Sequence, residues 1–220
     1  MSSAKQIIVI NPNSNEHVTD SMNTALNPFR LANGPIIKSV TNLYGPPGIE
    51  SQQDADNAAV QVVDIIKRNN SADAFVIACF SDPGIFAARE VTDRPVFGIA
   101  ESGILTALSL GSSFGILAIL DTSVPRHIRY IRSLGLEKRL AGDLAIGLGV
   151  AELSDEKKTF HRLQEVGRKL RDNSGASVLI LGCAGMARYR LGLQQSLGIP
   201  VVDPSQAAVS MAVSAVLLNQ

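Results

Sequence analysis

The chain repeats itself. Residues 74–84 read AFVIACFSDPG and residues 177–187 read SVLILGCAGMA; in each, a run of apolar residues leads to one cysteine and then to small residues. Cys79 and Cys183 are 104 positions apart and are the only two cysteines in the sequence. A second pair follows: RPVFG at 94–98 matches IPVVD at 199–203, with Pro95 and Pro200 separated by 105 positions. A third, looser pair opens each half, IIVINPNS at 7–14 and ILAILDTS at 116–123, with Ser14 and Ser123 separated by 109. Three block pairs in one order at nearly one offset indicate an internal duplication. Two similar halves then face each other, and the two cysteines approach one cleft from equivalent strand ends.

The pattern between the blocks sets the fold class. Short runs rich in Val and Ile, bounded by turn residues, read as buried strands. They are Gln6–Ile10, Ile36–Val40, Ala74–Ala78, Val96–Ile99, Phe114–Ile119, Val178–Leu181 and Val201–Val202, and an extra strand is expected near Asp143–Ile146. Segments of helical period alternate with them. Ser51–Arg68 puts Ala55, Ala59, Val62, Val63 and Ile66 on one face, and Ser154–Asp172 does the same with Phe160, Leu163, Val166 and Leu170. Shorter helices are expected at Glu16–Leu26, Asp82–Val91, Glu101–Leu110, Ser123–Leu134, Met186–Leu197 and Pro204–Leu218. Alternation of this kind predicts an α/β protein of two pseudo-symmetric lobes, each a parallel sheet flanked by helices. The expected division is residues 1–97 with about 205–220 in the first lobe and 98–204 in the second, the last helix crossing back.

Composition narrows the function. Lys plus Arg equals Asp plus Glu at 20 each, so no basic stripe points to nucleic acid. No apolar run reaches the ~18 residues of a membrane-spanning helix. Met1–Ile10 lacks the charged start, apolar middle and cleavage site of a signal peptide, which predicts a cytoplasmic protein. The three histidines, His17, His127 and His161, are scattered, and neither cysteine has a CxxC partner, so no metal site is expected. No glycine-rich phosphate loop is present.

The cysteines are the candidate chemistry. In open parallel sheets, ligands bind beyond the carboxyl ends of the strands. Amides at a helix start favour a thiolate and hold developing negative charge. Inverting a carbon beside a carbonyl requires a base on one face and an acid on the other. Two thiols on opposite walls meet that demand by exchanging roles. A cysteine after an apolar run also serves as a small buried hydrophobe. What favours chemistry is that both cysteines fall at matching places of the repeat.

On these residues the chain resembles the aspartate/glutamate/hydantoin racemase family, and within it the hydantoin and allantoin racemases. The resemblance is carried by VINPNSN (Val9–Asn15), ACFSDPG with AARE behind it (Ala78–Glu90), PVFGIAES (Pro95–Ser102) and LGCAGMA (Leu181–Ala187), and extends over residues 6–216. It implies two α/β lobes, no cofactor, a homo-oligomer, and catalysis by Cys79 and Cys183. It also implies substrate contacts from Asn13 and Ser14, from the backbone of Phe80, Ser81, Ala184 and Gly185, and from Thr122 and Ser123. Glutamate racemases commonly show CNT and CTH where this chain has Cys79-Phe80-Ser81 and Cys183-Ala184-Gly185, a change that favours a neutral ring over an amino-acid zwitterion.

The expected activity is therefore cofactor-independent racemisation of 5-substituted hydantoins, allantoin among them. Alternatives are an aspartate, glutamate or other amino-acid racemase, a related isomerase or decarboxylase, and a two-lobed small-molecule binding protein. The remaining polar residues read more blandly. Asp82 is expected to be a helix-start acid and Glu90 a surface charge. Arg126 and His127 are read as a solvated helix face, with contact to an anionic substrate as the alternative, and Tyr130, Arg132 and Arg139 as surface. Gly45–Glu50 reads as a rigid loop that either borders the cleft or merely ends a strand.

Overall fold

A computed structural model describes residues 4–218. Residues 1–3, part of the stretch read as lacking a signal, and residues 219–220, at the end of the segment assigned to the first lobe, lie outside the described residues. The first half runs β1 (Gln6–Asn11), α1 (Glu16–Ala25), β2 (Ile36–Thr41), α2 (Gln52–Arg68), β3 (Ala74–Ile77), α3 (Ile85–Glu90), β4 (Val96–Gly98) and α4 (Ile99–Leu110). The second runs β5 (Phe114–Ala118), α5 (Val124–Ser133), β6 (Leu140–Ala145), α6 (Glu156–Asp172), β7 (Val178–Leu181), α7 (Arg190–Leu197), β8 (Val201–Val202) and α8 (Pro204–Leu218).

The strands form two four-stranded sheets, ordered β2-β1-β3-β4 and β6-β5-β7-β8, with every pairing parallel. The two orders are the same order, so the duplication seen in the sequence is a duplication of topology. Central strands are apolar along their whole length because helices cover both faces; β3, β5 and β7 are buried at every position. In each sheet the chain leaves its first strand in one direction and later returns to the other side. The crevice at that switch point lies beyond β1 and β3 in the first sheet, and beyond β5 and β7 in the second.

The last helix of each half crosses over. α4 packs on β5, β7 and β8, and α8 packs on β1, β3 and β4. The two helices also pack on each other, closely because Gly103 has no side chain: a Cβ there would come within 2.9 Å of Pro204. Local signals fix several helix starts. Ser51 and Asp54 form a capping box on α2, Asn15 caps α1 and Asp155 caps α6.

Some expected boundaries shift. α3 starts at Ile85 instead of Asp82, because Asp82 (φ 41°) and Gly84 (φ 76°) take left-handed backbone that no helix continues. α7 starts at Arg190 instead of Met186, since Ala184–Tyr189 wind as a tighter 3-10 turn. β6 begins at Leu140, three residues ahead of the expected strand. The buried face of α2 is Ala55, Ala58, Val62, Ile65 and Ile66, rotated from the expected stripe, leaving Ala59 and Val63 at its edge. Among the described residues, no helix is long and apolar enough to cross a membrane.

Candidate active site

The loops at the two switch points meet. Cys79 follows β3, Cys183 follows β7, and both line one cavity between the sheets. Each is held by the same local turn. The amide of Asp82 donates to the Cys79 carbonyl at 3.0 Å, and that of Met186 to the Cys183 carbonyl at 3.1 Å. Each thiol accepts a hydrogen bond from the amide two residues on, Ser81 for Cys79 and Gly185 for Cys183. The amides of Phe80 and Ala184 donate to no backbone or side-chain acceptor among the described residues.

Of the other residues singled out in the sequence, Asn13, Phe80, Ser81, Ser123 and Ala184 line this cavity, while Ser14, Thr122 and Gly185 do not. Asn13 uses its side-chain oxygen internally, accepting from Asn11 Nδ2 and Asn15 N. Its own Nδ2 has no partner among the described residues. Ser14 ties its backbone to Pro46. Thr122 is exposed and donates to the Glu50 carbonyl at 3.0 Å. Gly185 lies behind Cys183, where a Cβ would be 3.7 Å from the sulfur.

The expected lowering of the thiol pKa values is not what the structure gives. Burial pushes Cys79 up to about 12 and Cys183 up to about 11. Desolvation of a thiolate outweighs the single amide bond each sulfur receives. The surrounding charges differ. Cys79 faces the Arg126 guanidinium, which favours its thiolate, along with Cys183 and the Asp82 carboxylate, which oppose it. Cys183 faces the carboxylates of Glu50 and Asp203.

A buried aspartate stands behind each cysteine. Asp203 ends β8 and accepts from Ser205 N at 2.9 Å, capping α8. The equivalent residue of the first half is Gly98, which has no carboxylate to offer. Asp82 supplies it from the cysteine loop: its two oxygens accept from Ala100 N and Glu101 N, each at 2.9 Å. Asp82 is thus a helix-start acid, as its position suggested, but for α4 and not for α3. Only a glycine leaves room for it, because a Cβ on Gly98 would sit 2.2 Å from the carboxylate. Burial raises Asp82 to about 7 and Asp203 to about 6.

Arg126 and His127 are the clearest correction. Both are buried and both line the cysteine cavity, so the reading of a solvated face fails. His127 Nδ1 is 2.8 Å from Asp143 Oδ2 on β6, and the Phe80 ring stands edge-on to the imidazole at 5.1 Å. Tyr130 is half-buried and donates to Asp82, against its assignment to the surface. Arg132 is exposed as expected; Arg139 is partly buried and reaches the carbonyls of Gly111 and Ser112.

The Gly45–Glu50 loop borders the cleft. The Glu50 carbonyl accepts from Thr122 and Arg126, and the Glu50 carboxylate from Val150 N at 2.8 Å, so this loop of the first half is fastened onto the second. The cavity it closes measures about 30 Å³. That exceeds the ~10–15 Å³ that one water needs.

A family model described as Asp/Glu/Hydantoin racemase matches residues 7–212. The chain belongs to this family. The family is one of isomerases, and its members carry the two-lobed fold described above. Hydantoin racemase from Paenarthrobacter aurescens is 37% identical over 219 residues, covering 97% of this chain and 92% of that protein. Allantoin racemase from Klebsiella pneumoniae superposes with a TM-score of 0.89 at 34% identity, covering 98% of this chain and 89% of that one. Allantoin racemase from Pseudomonas fluorescens gives 0.92 at 28% identity, with coverages of 97% and 92%.

Proposed function

We propose that the protein racemises 5-substituted hydantoins, allantoin among them, without a cofactor, and that Cys79 and Cys183 are its paired base and acid. The observation that carries this reading is the meeting of the two thiols, one from each half of a duplicated fold, in a single cavity. The relatives' named substrates, hydantoin and allantoin, set the substrate class. We further take residues 1–97 with about 205–220 as one lobe and 98–204 as the other, a division supported by α8 packing on the first sheet. A cytoplasmic homo-oligomer completes the proposal; the two free cysteines accord with a reducing compartment.

In the proposed reaction one cysteine, as thiolate, removes the hydrogen from the ring carbon beside the carbonyl. The electron pair passes to the carbonyl oxygen as an enolate. The other cysteine, as thiol, then returns a proton to the opposite face. The thiols end with their protonation states exchanged, so the reverse hand is processed by the mirrored sequence. The Phe80 and Ala184 amides, left free when Ser81 and Gly185 bind the sulfurs, suit the developing oxyanion. Asn13 Nδ2 and the Ser123 hydroxyl suit the ring's polar edge, with Ser14 and Thr122 holding the loops on either side.

The test is the loss of optical activity of L- and D-5-substituted hydantoins and of L- and D-allantoin, beside L-aspartate and L-glutamate, with neither metal nor pyridoxal added. The expected result is decay of both hands of a hydantoin to zero rotation. Inertness toward every hydantoin with turnover of an amino acid would overturn the substrate class.

A further inference from the structure

Beside the cysteine cavity lies a second hollow of about 250 Å³. Phe80, Ser81, Arg126 and His127 line both, so they form the wall the two spaces share. Gln52 and Arg129 stand at the exposed mouth.

Its charge is one-sided. Arg126 is only 9% exposed. Its hydrogen bonds end on neutral acceptors, the carbonyls of Glu50 and Thr122 and the Ser123 hydroxyl, and its buried Nε has no acceptor among the described residues. Arg129 donates to Gln52 Oε1 at 2.6 Å. Neither arginine forms an ion pair among the described residues. Asp54 attracts Arg126 from a distance without an ion pair, and its Oδ2 accepts from the amides of Glu50 and Ser51. The Asp143 carboxylate is turned to His127. A buried donor left unmade costs about 1–3 kcal/mol, more when it is charged. A ligand carboxylate in this hollow would balance the two guanidinium charges that line it, and it matches a guanidinium in both charge and planar geometry.

We infer that this hollow is the subsite for the substituent on the reacting carbon, and that the preferred substituent carries a carboxylate: the substrate class is a hydantoin with a short acidic side chain. This rests on the hydantoin reading above and sharpens it. The ring carbon sits between the sulfurs, and the substituent leaves it across the Phe80–His127 wall toward Arg126 and Arg129. An alkyl or aryl substituent would leave the charges of Arg126 and Arg129 without a counter-charge in the hollow. The ureido group of allantoin offers a carbonyl oxygen without the charge.

The experiment measures kcat/KM by circular dichroism for hydantoin-5-acetic acid, allantoin and 5-methylhydantoin, with the wild type, Arg126→Met and Arg129→Gln. The acid is expected to exceed 5-methylhydantoin by at least tenfold, mainly through KM, with allantoin between. Arg129→Gln is expected to reduce that ratio about threefold and Arg126→Met to abolish it. Equal values for the acid and 5-methylhydantoin, or a ratio that neither variant changes, would overturn the inference. If Arg126→Met does not fold, Arg129→Gln decides. If no hydantoin is racemised, the reading of the reaction falls. The subsite is then judged by calorimetric binding: the acid binding tenfold tighter than 5-methylhydantoin supports it, and equal affinity refutes it.

Discussion

Replacing Gly98 with Ala should destabilise the protein through a residue it does not visibly touch in sequence. Gly98 has φ −93° and ψ 143°, a conformation alanine adopts freely, so the backbone term alone favours the substitution by about 0.4–1 kcal/mol. The new Cβ, however, would lie 2.2 Å from the Asp82 carboxylate. Asp82 relieves the clash only by swinging away from the amides of Ala100 and Glu101, its acceptor positions at the start of α4. Hydrogen bonds to a charged group are worth about 1.5–3 kcal/mol each, so losing both, less the backbone gain, should leave a net loss of about 2–5 kcal/mol. Urea unfolding reads it directly. The double-mutant cycle isolates the cause: in an Asp82→Ala background the clash is gone, and Gly98→Ala should become neutral or slightly stabilising. A Gly98→Ala cost below about 0.5 kcal/mol, or the same cost in both backgrounds, would refute the shared cap.

Further outcomes follow from the same geometry. Since burial raises both thiols, to about 12 and about 11, the thiolate fraction of the free enzyme grows throughout the neutral and mildly alkaline range. The kcat/KM for racemisation should accordingly climb close to tenfold per pH unit between about pH 7 and 9, and a plateau reached by pH 7 would contradict the buried-thiol environment. Glu50→Ala removes the acceptor of the Val150 amide; it should cost about 1 kcal/mol in unfolding free energy and speed alkylation of Cys183 by iodoacetamide, read by mass spectrometry, with an unchanged rate arguing against the Glu50 loop as the cover of the cysteine cavity. Phe114→Ala, at a fully buried site, should lower stability by about 3–5 kcal/mol, measured by chemical denaturation.

The parts of the fold legible in the sequence were those governed by local pattern. β3, β5 and β7 stood out because strands covered on both faces must be apolar at every position, and the cysteine blocks stood out because a duplication repeats what its site needs. What stayed hidden depended on partners far along the chain. His127 reads as a helix-face residue until β6 brings Asp143 beside it, and Arg126 until the loop of Glu50, 76 positions away, lies against it. The cysteine environment was misjudged for a similar reason: the motif shows the amides, while the desolvation comes from closure of two lobes. One signal does lie in the repeat itself. Aligning IPVVD with RPVFG sets Asp203 against Gly98, and a glycine where its repeat partner has a helix-capping acid marks a carboxylate arriving from elsewhere. The shortened α3 and delayed α7 had no such signal, since the left-handed residue at Asp82 is set by the reach to α4.

The most direct test asks whether one sulfur stands on each side of the reacting carbon. Cys79→Ser and Cys183→Ser are incubated in D2O with a single hand of a 5-substituted hydantoin, and the ring hydrogen is followed by NMR while rotation is followed by polarimetry. Neither variant should racemise; each should wash deuterium into one hand only, and the two should choose opposite hands. Racemisation surviving in either variant, or both variants exchanging the same hand, would contradict proton transfer between two opposed thiols.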